Sequence, residues 1–236
     1  MEFKYWLVLT FLGAIWGSAF IFIKIAAPEF GAIGLVQMRL IIASLVFLPI
    51  LLRRKYLILL KPAWKHSLVL AITNNAIPFT LFSYGSFGAD SNILAILNAT
   101  TAFNTMIIAF LWLREDVTLK QFFGLVLGFI GVIILVNPQS SSTTILAAIL
   151  CLGGAACYSF STVFIQKYSN MTNKMVLIGW SIIFSAVIML PATLFNLPSE
   201  LPSTKAFLSA GWLGTISTGL AFFGYVYLIE KIGAVK

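Results

Sequence analysis

Eight stretches of this chain stay apolar for close to the roughly 20 residues that a helix needs to cross hydrocarbon. They run over 5–26, 31–52, 65–86, 91–113, 119–136, 145–166, 175–195 and 206–229. Inside a bilayer no water is at hand for backbone N–H and C=O groups, and a helix satisfies all of them within one segment. The chain is therefore predicted to be an all-α polytopic membrane protein with short connections. Its 236 residues are 60% hydrophobic and 9% charged, far under the roughly 25% charged residues of soluble domains. That balance excludes a water-soluble core and leaves no room for a separate catalytic domain. Turn signals fall between the stretches: Pro28-Glu29, Arg53-Arg54-Lys55 with Lys61-Pro62, Asn137-Pro138 with Ser140-Ser141-Ser142, and Leu197 to Pro202. The first apolar run exceeds a signal-peptide core and lacks a small-residue cleavage site, so it reads as a retained span.

A near-repeat organises the eight stretches. Gly13-Ala14-Ile15-Trp16-Gly17-Ser18-Ala19-Phe20 returns loosely as Ala155-Ala156-Cys157-Tyr158-Ser159-Phe160-Ser161-Thr162, at an offset of 142. The same offset aligns Phe47-Leu48-Pro49 with Met189-Leu190-Pro191. Five spans separate the copies, an odd number, so the second copy crosses in the opposite direction. Inverted repeats are the mark of carriers that expose one central site alternately to either side. The first unit covers residues 1–138 with five spans. The second covers 143–236 with three, which mirror the first three. Nothing mirrors spans four and five, so the chain is read as holding eight helices of an expected ten. The alternative is a natural eight-span protein.

Loop charges set the orientation. With the N-terminus in the cytoplasm, twelve lysines and arginines fall inside and two, Lys24 and Lys205, fall outside. This bias accounts for the net charge of +8 without a nucleic-acid partner. The partners expected are the lipid bilayer and a small-molecule substrate, with a homodimer left open. The two cysteines, Cys151 and Cys157, lie in one apolar span and read as separate buried thiols.

Several motifs occur together in a telling order. Trp16-Gly17-Ser18-Ala19-Phe20 lies in the first span and Arg39 in the second. Leu113-Arg114-Glu115-Asp116-Val117-Thr118 precedes Gly124 and Gly128-Phe129-Ile130-Gly131-Val132. In this arrangement the chain resembles EamA-type proteins of the drug/metabolite transporter superfamily. The resemblance implies two inverted five-helix units and export or exchange of small metabolites, amino acids or related compounds among them. Span four of that family ends in leucine-glycine-glutamate. Arg114 stands at the glycine position here, and Glu115 keeps the acid. The chain departs from the family by ending after eight spans, which leaves a second function open: a non-transporting membrane protein that assembles with a partner chain.

Within the spans, a few polar residues stand out. Arg39 sits mid-span, where a charge costs roughly 2.5–3.5 kcal/mol on insertion scales. It reads either as a cation facing a polar cavity or as a structural arginine held by neighbouring helices. Asn74 and Asn75 precede Pro78, which cannot donate to the Asn74 carbonyl; that pairing suits a substrate-lining helix or a packing kink. Asn98, Thr101 and Thr105 share one face of span four, with Asn104 beside them. Trp16 and Tyr158 occupy equivalent repeat positions. Together with Tyr225 they are candidates for an apolar wall, with Thr218 extending it and Trp180 at similar depth. The expected substrate-binding set is Trp16, Arg39, Asn74, Asn75, Asn98, Asn104, Tyr158 and Tyr225. Gly13-x-x-x-Gly17, Gly124-x-x-x-Gly128, Gly211 and Gly214 are expected to let helices approach closely.

The acids Glu2, Glu29, Asp90, Glu115, Asp116, Glu200 and Glu230 all fall near span ends. The one histidine, His66, opens span three. Obligatory proton coupling through a buried carboxylate is therefore not expected. No histidine pair for a metal, phosphate-cradling glycine loop or serine–histidine arrangement appears at depth. No enzyme activity and no cofactor are expected.

Overall fold

Uninterrupted apolar sequence becomes helix from end to end in the computed structural model, which describes residues 2–114, 116–136, 143–168 and 173–232. Glu115, the Asn137-Pro138 and serine-run turn, and Gly233 to Lys236 lie outside the described residues, as does the Glu230 side chain. Among the described residues the helices form eight rods. These are α1 (Phe3–Phe30), α2 (Ala32–Leu51), α3 (54–85), α4 (Ser91–Leu113), α5 (Leu119–Val136), α6 (Ile145–Tyr168), α7 (Lys174–Leu194) and α8 (204–232). Six of them, α1, α2, α4, α6, α7 and α8, are long and apolar enough to cross a membrane. Among the described residues the only sheet-like pairing is one isolated bridge between Ala89 and Thr143.

Three rods are not regular throughout. In α3, Arg54–Leu70 passes into a wide π turn, Ala71–Ala76, and then into Ile77–Gly85. In α8, Thr204–Trp212 is followed by a longer wide segment, Leu213–Leu220, and then Ala221–Ile232. The last turn of α4, Ala109–Leu113, is also wide. Single π turns arise where a group intrudes on the i−4 ladder. In α3 the intruder is Pro78, just past the wide turn, whose ring clashes with the carbonyl of residue 74. In α8 the Thr218 hydroxyl donates to the Leu213 carbonyl five residues back at 2.8 Å.

Two expected boundaries move. Pro28 does not end the first helix; it lies inside α1, and the break falls at Gly31, whose φ of 71° suits glycine. The loop expected over residues 53–64 is instead the start of α3. There Arg54, Lys55, Lys61 and Lys65 flank the exposed apolar run Leu57-Ile58-Leu59. Pro62 is accommodated within it.

Two large buried clusters hold the bundle together, beside a small one of Tyr5, Leu12, Ala221 and Leu228 between α1 and α8. One joins α1, α3, α4, α6 and α8 through residues such as Ile23, Phe82, Leu94, Cys151 and Leu213. The other joins α2, α3, α6, α7 and α8 through Leu40, Phe47, Leu70, Phe164, Ile178 and Phe222. Tyr158 packs against both. The close approaches occur at Gly85, Gly154, Gly179, Gly214 and Gly219, where an added Cβ would meet a neighbouring helix. Of the glycines singled out in the sequence, only Gly214 behaves as expected. Gly13, Gly17, Gly124, Gly128 and Gly211 have open space around them, because their faces lie on the outer surface of the bundle and not on a helix–helix seam.

Candidate functional site

A cavity of about 200 Å³ lies between the two clusters and draws its walls from both. α1 contributes Trp16 and Phe20, α2 contributes Arg39, and α3 contributes Asn74, Phe79 and Phe82. α4 supplies Asn98 and Thr101, α6 supplies Tyr158 and Thr162, and α8 supplies Ser217, Phe222 and Tyr225. Six of the eight expected residues thus converge: Trp16, Arg39, Asn74, Asn98, Tyr158 and Tyr225. The other two do not. Asn75 is fully buried behind the wall and donates to the Ser181 hydroxyl at 3.0 Å. Asn104 lies one turn further along α4, away from the lining, as does Thr105. Trp180 packs on Phe184 of its own helix, 5.8 Å between ring centroids.

Arg39 is 7% exposed. Its Nε donates to the Thr218 hydroxyl at 2.6 Å, and that hydroxyl in turn donates to the Leu213 carbonyl. The guanidinium centre lies 3.7 Å from the Phe79 ring centroid, a close cation–π contact. Among the described residues no acidic side chain lines the cavity. Arg39 is therefore held on one edge by Thr218 and also lines the cavity. Trp16 is fixed in turn by its Nε1, which donates to the Ser217 carbonyl at 3.0 Å. The wide segment of α8 thus receives a hydrogen bond from α1 and another from α2.

Three polar atoms along this wall are buried without a hydrogen-bond partner: Asn98 Oδ1, Thr101 Oγ1 and Ser217 Oγ. A buried polar atom left unsatisfied costs roughly 1–3 kcal/mol. A cavity with such atoms is poised to gain from an occupant with matching polar groups.

The cavity also shows an internal correspondence. Tyr158 packs on Phe82 (5.9 Å) and Phe79 (6.4 Å). Trp16, its equivalent at an offset of 142, packs on Tyr225 (5.7 Å) and Phe222 (6.4 Å). The aromatic pairs match at an offset of 143. Likewise Arg39 bonds Thr218, and Ser181, 142 residues later, receives the bond from Asn75, which lies 143 before Thr218. The wide segments begin 142 apart, at Ala71 and Leu213, but hold six and eight residues. The one-residue change of offset is already present within these segments, at Asn75 and Thr218. Phe79, Phe82, Phe222, Thr162 and Ser217 were not singled out in the sequence. The signal for the three aromatics among them is this one-residue slip, which hides their match at a fixed offset.

The model of the EamA-like transporter family matches residues 4–137 and 145–236. Among known proteins, the chain is 23% identical over 235 residues to an uncharacterized transporter of Archaeoglobus fulgidus, covering 97% of this chain and 81% of that one. It is 25% identical over 222 residues to the uncharacterized transporter YvbV of Bacillus subtilis, covering 92% and 68%. It is 25% identical over 224 residues to the uncharacterized inner membrane transporter YedA of Escherichia coli, covering 92% and 72%.

Proposed function

The chain belongs to the EamA-like transporter family, and on that premise we propose that it moves small organic metabolites, amino acids or related compounds, across a bacterial-type inner membrane by alternating access. Export or exchange is the direction we assign, with the N-terminus in the cytoplasm. Two inverted units, residues 1–138 and 143–236, form the walls of one site, and rocking of one against the other exposes it in turn. The observation that carries this reading is the paired construction of the cavity, in which Trp16 with Phe222 and Tyr225 answers Tyr158 with Phe79 and Phe82. A site built at the junction of two matched units is where a rocking motion changes access most. Arg39, Asn74 and Asn98 supply polar contacts; Trp16, Tyr158 and Tyr225 supply the apolar wall. Asn75 has a positioning role, tying the wide turn of α3 to α7 through Ser181.

The test is uptake into everted membrane vesicles. Labelled amino acids, hydroxy acids and keto acids are presented to vesicles with and without the protein, whose insertion is checked by immunoblot. Accumulation of at least one compound above the protein-free control, abolished by Trp16→Ala, is the expected result. No accumulation of any compound by correctly inserted protein overturns the reading.

A further inference from the structure

We propose that the Arg39 cavity selects net-anionic monocarboxylates with an apolar body over zwitterionic amino acids of the same skeleton. This rests on the transport reading for its purpose, but its own evidence is local. A guanidinium keeps its charge at any ordinary pH. Here that charge lies nearly buried, with no carboxylate among the described lining residues to balance it. Its present compensation is one hydroxyl and one aromatic face. Both are neutral, so the cavity carries an uncompensated positive charge.

The geometry adds direction. Phe79 covers one face of the guanidinium, and Thr218 takes the Nε edge. A planar guanidinium donates within its plane, so stacking on Phe79 leaves the two terminal nitrogens available at the far edge. Those two nitrogens have no hydrogen-bond partner among the described residues, and they match the two oxygens of one carboxylate. A monocarboxylate brings the occupied cavity to zero net charge. A zwitterion leaves the positive charge in place, and its ammonium finds no acid. An amine adds a second positive charge. The remaining requirement comes from Asn98 Oδ1, an acceptor without a donor. A neutral hydroxyl beside the carboxylate meets it without adding charge. The aromatic walls take the apolar body.

Phenyllactate, phenylalanine and phenylalaninol share one skeleton and differ in charge: anion, zwitterion and cation. Calorimetric titration of the purified protein in detergent is expected to rank phenyllactate at least about tenfold tighter than the other two. Arg39→Gln is expected to weaken phenyllactate binding by roughly 30-fold or more, the loss typical of truncating one partner of a buried charged pair. Asn98→Asp places a carboxylate in the cavity and is expected to abolish the preference for the anion, which keeps the test decisive if Arg39→Gln does not fold. Equal or tighter binding of phenylalanine or phenylalaninol overturns the proposal, as does binding of none of the three, or an unchanged ranking in Asn98→Asp. Proteoliposome flux of the same compounds separates the two readings. Selective anion binding without flux overturns transport and leaves this inference standing. Flux of the zwitterion or cation in preference overturns this inference and leaves transport standing.

Discussion

At the scale of single residues, the site depends on how a buried cation is held. Thr218 serves Arg39 as acceptor and Leu213 as donor, so it couples the charge to the backbone of α8. Thr218→Val keeps the shape and removes both bonds. It is expected to cost about 1–3 kcal/mol, read as a lowered unfolding midpoint of the detergent-solubilised protein, with Thr218→Ser restoring most of it. A valine variant as stable as the parent would show that Arg39 needs no such anchor. Arg114 presents a different local problem. It closes α4 in the left-handed region, at φ 56° and ψ 37°, where a Cβ is strained and glycine is at ease. That is why a glycine suits this place in the resembling motif. Arg114→Gly is expected to raise stability by up to ~1 kcal/mol, measured by the same midpoint; a fall would mean the side chain makes contacts worth more than the strain.

At the scale of helices, the wide segments of α3 and α8 decide which side chains face the cavity. A π turn carries more residues per turn than an α turn, so everything beyond it is rotated relative to a regular helix. In α8 this aims Phe222 and Tyr225 at Trp16, and in α3 it aims Phe79 and Phe82 at Tyr158. Gly214 lets the α8 segment lie against α2: an added Cβ would sit 2.5 Å from Ile42 Cβ and 3.0 Å from the Arg39 carbonyl oxygen. Gly211, three residues earlier, has nothing within 4 Å. Gly214→Ala is therefore expected to destabilise by about 1–3 kcal/mol through overpacking. Gly211→Ala is expected to be neutral or stabilising by up to about 1 kcal/mol. Thermal unfolding of the pair in parallel checks this, and equal behaviour of the two variants would remove the close approach as the reason.

For the whole molecule, the prediction concerns orientation. In a background with Cys151→Ala and Cys157→Ala, single cysteines at the exposed positions 61 and 205 report opposite sides. Lys205→Cys is expected to react with an impermeant maleimide in intact cells, and Lys61→Cys only after permeabilisation. The reverse pattern would invert the topology and the positive-inside argument with it. The α1–α2 and α7–α8 ends also meet here: the Glu29 carboxylate accepts from the Ser203 hydroxyl at 2.9 Å and from its backbone N–H. This contact ties the end of α1 to the start of α8 at the end of the bundle that carries Lys205.

The sequence by itself determined that this chain is helical and belongs in a membrane, because apolar length and backbone hydrogen bonding in hydrocarbon leave a single solution. It also located Arg39, Asn74 and Asn98, since a polar group at depth stands out against an apolar run. Other features were decided only by the tertiary structure. Asn75 turned out to brace α7 and not to face the cavity, and Gly13, Gly17, Gly124 and Gly128 look outward. The aromatic box of Phe79, Phe82 and Phe222 was invisible among 21 phenylalanines. The physical reason is common to all three. Which face of a helix a residue occupies follows from the phase of that helix, a π turn shifts the phase, and apolar sequence reads the same whether it meets lipid, a neighbouring helix or a cavity.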